Sequence, residues 1–120
     1  MISLPLRLPS DNEIWGFANG RRYKTAIYKQ FEQDAGWLLK PHQRLWKAGD
    51  RVKVDISVFW HNVRLRDATN CLKALIDVCV KSGVLPDDRY IYELRVRKFK
   101  LDKTQDEYCE IDLAEIKTGV

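Results

Sequence analysis

The chain has 120 residues, of which 45% are hydrophobic and 32% are charged. These proportions exclude a disordered or fibrous chain and are typical of a soluble globular domain that buries a core without disulfide or metal support. Lys and Arg number 21 against 17 Asp and Glu, a formal net charge of +4, which favours a polyanionic partner but does not identify it. We expect a single domain over residues 1–120.

The cysteines and the hydrophobic segments predict a cytoplasmic protein. Cys71, Cys79 and Cys109 fit no zinc-binding or redox spacing. Cys71 and Cys79 are predicted to share one helix about 12 Å apart, too far for a disulfide. No apolar run approaches the ~20 residues of a membrane span, and the N-terminus lacks a secretory pattern. We therefore expect a reducing compartment and no membrane association.

The first half of the chain predicts a strand, a loop, a helix and a second strand. Residues 2–8 form a candidate strand in which Pro5 favours an edge position. Residues 9–22 are dense in Ser, Asp, Asn, Gly and Pro, a composition that predicts a loop. Apolar residues recur at helical spacing over 23–40, which predicts the first helix. Hydrophobic and polar residues alternate over 51–62, which predicts a half-buried strand with Val52, Val54, Ile56, Val58 and Trp60 facing inward.

The second half predicts a helix followed by two strands. An apolar stripe at helical spacing begins after Asp67 and ends before Gly83, as in an amphipathic helix. Its members are Leu72, Leu75, Ile76, Cys79 and Val80. Alternation over 90–101 and 107–116 predicts two strands, and the polar residues 102–107 have the length of a hairpin turn. The expected inward residues are Tyr92, Leu94 and Val96, then Cys109, Ile111 and Leu113.

The predicted order is therefore strand, helix, strand, helix, strand, strand. This order favours an α+β domain rather than separate helical and sheet units. We expect a mixed or largely antiparallel sheet with the helices on one face.

Acidic and basic side chains surround the second helix. Asp67 lies where the helix is predicted to begin, and the pair Asp87 and Asp88 follows its end. The polar face of the helix carries Asn70, Lys73 and Asp77. Most often such an aspartate is an N-cap, such a face is solvated and Pro-Asp-Asp is a turn. If the loop folds back beside the helix start, converging carboxylates and a lysine suit Mg²⁺ and phosphodiester hydrolysis.

The segment from Arg66 to Ile91, RDATNCLKALIDVCVKSGVLPDDRYI, resembles the core motif of the RusA family of Holliday junction resolvases. That motif runs R-D-x-D-N-x-x-K, then a mid-helix acid, a glycine and an acidic pair. The resemblance extends over nearly the whole chain, including the first strand, the basic segment GRRYK and the strand after the acidic pair. It implies a RusA-like fold and a dimeric, Mg²⁺-dependent endonuclease that makes paired nicks across a four-way DNA junction. Mn²⁺ is an alternative metal, and no small-molecule cofactor is implied.

Carried over position by position, the resemblance implies catalytic roles for Asp67, Lys73 and Asp88. Asp67, Asp87 and Asp88 are implied as metal ligands. Thr69 stands where the family has the second aspartate of its motif, so it would offer a hydroxyl or hold a water, with one negative charge missing. Asp87, Asp77 or Glu93 are acids that could compensate. Two hypotheses stay open: an active junction endonuclease, and a junction-binding protein whose catalysis is impaired by Thr69.

Basic residues near the motif are the candidate DNA contacts. They comprise Arg21, Arg22 and Lys24 after the predicted loop, Arg64 and Arg66 beside the acids, Asn70 and Lys73 on the helix, and Arg95 and Arg97 on one strand face. Together they predict phosphate binding that is selective for structure rather than sequence, although any one cluster is equally well explained as a solvated surface. A two-fold dimer would match the symmetry of a four-way junction. Trp15 and Phe17 either stack at the junction centre or pack under their own loop or at a dimer interface.

Overall fold

A four-stranded mixed sheet and a separate two-stranded hairpin organise the protein. The computed structural model describes residues 1–47, 49–61 and 69–116, with the backbone alone at 11, 12, 69 and 70. The strands are β1 (Ile2–Leu4), β2 (Trp15–Ala18), β3 (Arg21–Lys24), β4 (Arg51–Trp60), β5 (Ile91–Lys100) and β6 (Tyr108–Ile116). The helices are α1 (Asp11–Ile14), α2 (Ala26–Leu39) and α3 (Thr69–Lys81), and short 3-10 turns span Lys40–His42 and Asp88–Tyr90. The predicted α+β class and the order of its elements are confirmed.

The large sheet has the strand order β1-β6-β4-β5, in which β4 and β5 run parallel and the other neighbours run antiparallel. One face of β4 is buried along its whole length, as its alternating hydrophobicity predicts. The buried residues are Val52, Val54, Ile56, Val58 and Trp60. The short β1 lies at one edge and ends just before Pro5, in agreement with the edge position expected from that proline.

Helices α2 and α3 cover the buried face of the sheet and pack against each other. The hydroxyl of Thr25 accepts a hydrogen bond from the Tyr28 amide and caps α2, whose buried residues are Tyr28, Phe31, Ala35 and Leu39. Gly83, with a φ of 82°, closes α3 in the left-handed conformation that glycine adopts most readily. No helix in the described ranges is long and apolar enough to cross a membrane.

The buried side of α3 differs slightly from the predicted stripe. Leu75 and Cys79 are buried as expected, and Leu72 and Val80 pack partly buried against the core. The centre of the buried side also includes small residues that the hydrophobic stripe passed over, namely Cys71, Ala74 and Val78. Cys71, Cys79 and Cys109 are all buried, and burial raises the pKa of the Cys79 and Cys109 thiols to about 12.

The prediction of a continuous loop over residues 9–22 is wrong. Ser10 begins α1 with a capping box in which Glu13 accepts a hydrogen bond from the Ser10 amide at 3.1 Å. β2 and β3 then form an antiparallel hairpin in which Phe17 is paired with Arg22. Asn19 and Gly20 connect the strands with φ values of 53° and 71°, and Asn-Gly is the preferred sequence for such a turn. The polar composition of residues 9–22 predicted a loop and outweighed two local signals, the capping box and the Asn-Gly turn.

The inward orientation predicted for Tyr92 is also wrong, and neither Tyr92 nor Leu94 is buried, since they are 57% and 45% exposed. The register between β4 and β5 shifts between Val52 and Lys53, an irregularity that redirects the start of β5. Tyr92 consequently lies under the guanidinium of Arg51, 4.8 Å from the ring centre. Leu94 pairs with the buried Val54 and so lies on the inward face as predicted, but on this edge strand its side chain stays exposed. Val96 is half-buried and packs against the core.

Residues 102–107 do not form a hairpin turn, since β5 and β6 lie on opposite sides of β4. The connection passes the end of β4, where the Leu101 amide donates to the Trp60 carbonyl at 2.8 Å. The His61 amide donates to the Glu107 carboxylate at 2.9 Å. Cys109 and Ile111 are buried and Leu113 packs half-buried against the core, so the inward face predicted for β6 is confirmed.

Candidate active site

The acidic pair Asp87 and Asp88 lies at the turn between α3 and β5. The amides of Val84 and Leu85 both donate to the Cys79 carbonyl, at 3.0 and 3.1 Å, which folds the chain sharply back after the helix. The side chains of these two residues are buried, whereas both aspartates are exposed. A fixed apolar base therefore presents two carboxylates to solvent.

Hydrogen bonding makes the two aspartates unlike each other. The Asp87 carboxylate accepts the Arg89 amide at 3.2 Å. This bond and a hydrogen bond with Asp88 lower the pKa of Asp87. The hydrogen bond between the two aspartates raises the pKa of Asp88. Desolvation and the negative charges of Asp87 and Asp77 also raise it. The turn thus concentrates negative charge that a bound cation would offset.

Asp77 links the acidic turn to the helix layer. This residue is half-buried on α3, and its charge raises the pKa of Asp88. Its charge also raises the pKa of Tyr28 on α2, after the larger effects of burial and of Glu32. The 3-10 turn that begins at Asp88 also contacts α3. Lys73 is exposed one helical turn before Asp77, on the polar face where the sequence places it.

Part of the predicted site lies outside the described residues. Asp67, Arg64 and Arg66 belong to that part, while Thr69 and Asn70 begin α3 and are described by their backbone alone. Within the described ranges, no group of three or more His, Cys, Asp or Glu side chains is close enough to hold a metal ion. The described acids therefore supply hard oxygen donors of the kind that Mg²⁺ takes, but do not complete a site by themselves.

The first basic cluster lies on the β2–β3 hairpin. Arg21 and Arg22 are exposed on β3. Lys24 has its ammonium 3.2 Å from the Glu32 carboxylate on α2, and Lys81 at the end of α3 binds the same carboxylate at 2.7 Å. Burial opposes ionisation of Glu32, but the bonds from Lys81 and Lys24 outweigh it and lower its pKa. These ion pairs connect the hairpin to both helices.

The stretch of the chain that contains the motif is similar to known proteins. A family model described as endodeoxyribonuclease RusA matches residues 5–107. The crossover junction endodeoxyribonuclease RusA of Aquifex aeolicus (strain VF5) is 32% identical over 98 residues, which cover 82% of this chain and 77% of that protein. The chain belongs to the RusA family. The match spans every residue that the sequence analysis assigned to the site, from the hairpin to β5.

A second basic pair of this RusA-family chain lies on β5, the strand that follows the acidic turn. Arg95 and Arg97 are exposed on β5, in register with Asp55 and Ser57 of β4. Those positions alternate with the buried valines of β4, so both arginines point to the sheet face that the helices leave open. Arg97 is 3.7 Å from the Asp55 carboxylate. Their assignment to DNA binding stays a prediction, and the structure separates them from the hairpin cluster.

The aromatic residues of the hairpin differ in their surroundings. Trp15 is half-buried and meets Tyr28 edge-to-face, with ring centres 6.1 Å apart. The Arg22 guanidinium lies 4.1 Å from the Trp15 ring centre. Phe17 is 76% exposed. Trp15 is therefore packed, although against α2 rather than under its own loop, whereas Phe17 is not packed. The hairpin was not predicted, although Asn19-Gly20 is the preferred sequence for its turn.

Proposed function

We propose that this protein is a divalent-metal-dependent endodeoxyribonuclease that resolves four-way DNA junctions. Family membership carries the proposal, since the match includes the whole acidic segment and the relative is named for crossover junction cleavage. The exposed, adjacent carboxylates of Asp87 and Asp88 support it, because they are hard oxygen donors of the kind that a divalent cation takes.

The proposed roles follow the chemistry of the side chains. Asp67, Asp87 and Asp88 hold Mg²⁺, or Mn²⁺ in its place, with Thr69 contributing an uncharged oxygen. The metal supplies Lewis acidity toward the scissile phosphate and lowers the pKa of a bound water. Lys73 provides positive charge near the phosphate as negative charge develops in the transition state. The proposed DNA contacts are the basic and amide side chains near the motif, namely Arg21, Arg22, Lys24, Arg64, Arg66, Asn70, Arg95 and Arg97.

The remaining proposals concern assembly and location. Two copies related by a two-fold axis would present identical sites to symmetric strands, which is the simplest way to make paired nicks. We propose this homodimer acts in the cytoplasm, where its DNA substrate lies, as a single domain over residues 1–120. No membrane partner and no small-molecule cofactor are required by this chemistry.

Thr69 favours a second candidate function. A family metal-binding aspartate is replaced by an uncharged residue, which removes one negative charge from the expected ligand set. A protein with a weakened metal site would still bind junctions through its basic surface. The second candidate is therefore a junction-binding protein that is catalytically impaired.

Cleavage assays on a synthetic four-way junction separate the two candidates. The matched substrate is a linear duplex with the sequence of one arm pair, and each is incubated with increasing Mg²⁺ or with EDTA. The first candidate predicts Mg²⁺-dependent nicking of the junction but not of the duplex. Junction-selective binding without nicking at any Mg²⁺ concentration would select the second candidate. Equal binding of both substrates would contradict both.

A further inference from the structure

The β2–β3 hairpin exposes side chains on both of its faces toward its tip. Phe17 and Arg22 are paired on one face, and Gly16 and Tyr23 are paired on the other. The Tyr23 ring lies so close across Gly16 that a Cβ at position 16 would overlap it. Phe17 and Tyr23 are nevertheless 76% and 51% exposed, so each face carries an accessible aromatic ring.

The charge of the hairpin selects the class of partner. Residues 15–24 contain three basic residues, Arg21, Arg22 and Lys24, and no acid. Arg21 and Arg22 are adjacent on a strand and therefore lie on opposite faces, one beside each exposed ring. Aromatic rings interleaved with cations fit nucleic acid whose bases are unstacked, because the rings stack on bases and the cations meet phosphates.

The base of the hairpin is anchored to the helix layer. Trp15 packs on Tyr28 of α2, and Lys24 shares the Glu32 carboxylate with Lys81 of α3. The Thr25 amide also donates to the Ile14 carbonyl at 3.0 Å, which closes the hairpin at its foot. The base of the hairpin is therefore fixed against the helix layer, while its tip stays exposed.

We propose that the hairpin is the element that recognises junction structure, with Phe17 stacking on an unstacked base at the crossover and Arg21 and Arg22 binding the flanking phosphates. This inference rests on the proposed function. A linear duplex offers the same phosphates but no unstacked base. Phe17 therefore contributes to the preference for the junction, and the arginines contribute to the affinity for both forms of DNA.

The test compares Phe17→Ala with Trp37→Ala, a control that removes an equally exposed ring, 76% exposed, from α2. Binding is measured in EDTA, so that cleavage does not intervene, with a four-way junction carrying 2-aminopurine at the crossover and with a linear duplex. We expect Phe17→Ala to weaken junction binding about tenfold, to leave duplex binding unchanged and to abolish the fluorescence change at the crossover. Trp37→Ala should bind both substrates as wild type does. Phe17→Tyr, which keeps an aromatic ring, should retain the preference for the junction.

Specific outcomes overturn the proposal. Wild-type junction preference that survives in Phe17→Ala would overturn the hairpin's role and leave the proposed function standing. Equal loss of junction and duplex binding would show that Phe17 supports general affinity. Conversion of the protein to a smaller species in sedimentation would assign the ring to contact with a second copy. Wild-type protein that binds both substrates equally would overturn this inference together with the proposed function.

Discussion

At the residue scale, Asp88 has the most direct link between environment and proposed chemistry. Its carboxyl is exposed on the turn after α3, and a hydrogen bond with Asp87 raises its pKa. We expect Asp88→Asn to reduce Mg²⁺-dependent junction cleavage at least 100-fold, because an amide cannot replace a carboxylate at a hard cation. Junction affinity should stay within about twofold, since binding depends on basic residues. Single-turnover cleavage and EDTA binding titrations measure the two effects.

Asp102→Asn is the matched control, because Asp102 is an exposed aspartate in the connection after β5. It should cut and bind as wild type does. Wild-type cleavage by Asp88→Asn would remove this residue from the site, and similar losses in both variants would indicate a general effect of charge.

Thr69 permits a prediction in the opposite direction. Thr69 begins α3, where the helix dipole favours an acid, so Thr69→Asp should not harm the fold. The added carboxylate restores the family motif and should lower the Mg²⁺ concentration for half-maximal cleavage about tenfold. A Mg²⁺ titration of the cleavage rate measures this shift. An unchanged midpoint, or a loss of activity, would mean that other acids already occupy the coordination position.

At the element scale, an ion pair at α1, just before the hairpin, makes the stability of the fold depend on pH. Arg7 donates to Glu13 at 2.8 Å, and this bond, opposed by burial and assisted by the Ser10 amide, lowers the pKa of Glu13 from 4.5 to about 2. The folded state therefore binds fewer protons than the unfolded state between these values. The bond between Arg7 and ionised Glu13 therefore contributes fully to the stability of the folded state above pH 4.5, and this contribution is lost as the pH falls toward 2.

Glu13→Gln should consequently lower the free energy of unfolding by about 1 kcal/mol at pH 7, a value that allows for the exposure of Arg7. The variant should approach wild type by pH 2.5, where the carboxylate no longer contributes fully. Urea denaturation at both pH values measures the difference. Asp106→Asn, at an exposed aspartate in the connection between β5 and β6, is the control. A difference from wild type that does not shrink at low pH would exclude the ion pair as its cause.

The sequence predicted the elements best where one periodicity persisted. β4 and α2 follow from alternation and from helical spacing, and Gly83 marks the end of α3 because only the backbone conformation matters there. The hairpin was missed because composition averaged over 9–22 outweighs two local signals, the Ser10–Glu13 capping box and Asn19-Gly20. Only Tyr92 was assigned to the wrong face of β5, because the register shift opposite it depends on the neighbouring strand.

At the scale of the whole molecule, the candidate site was only partly predictable. The identity of Asp87 and Asp88 follows from the motif, but the contact of their turn with α3 depends on the reversal after the helix that the Cys79 carbonyl stabilises. Sequence spacing alone contains no such three-dimensional relation. The separation of Arg95 and Arg97 from the hairpin likewise follows from the sheet, which places the two clusters on different sides.

A basic surface that binds phosphates predicts strong salt dependence. If the dimer neutralises about six phosphates, a plot of log K against log salt should have a slope near −5. The double variant Arg21→Gln/Arg22→Gln should reduce the magnitude of that slope, whereas Lys29→Gln on the exposed side of α2 is the control. Fluorescence anisotropy with a four-way junction measures both. A nearly flat slope for wild type would indicate that the basic clusters serve a partner other than DNA.

The central claim is that the protein cuts four-way junctions in symmetric pairs. The most direct measurement labels each of the four strands of a junction separately and maps every nick at single-nucleotide resolution in the presence of Mg²⁺. We expect nicks at symmetry-related positions in two opposing strands, with both cuts in the same complex and linear duplex products that can be ligated. Nicks in a single strand, nicks at unrelated positions, or binding without any nick would contradict it.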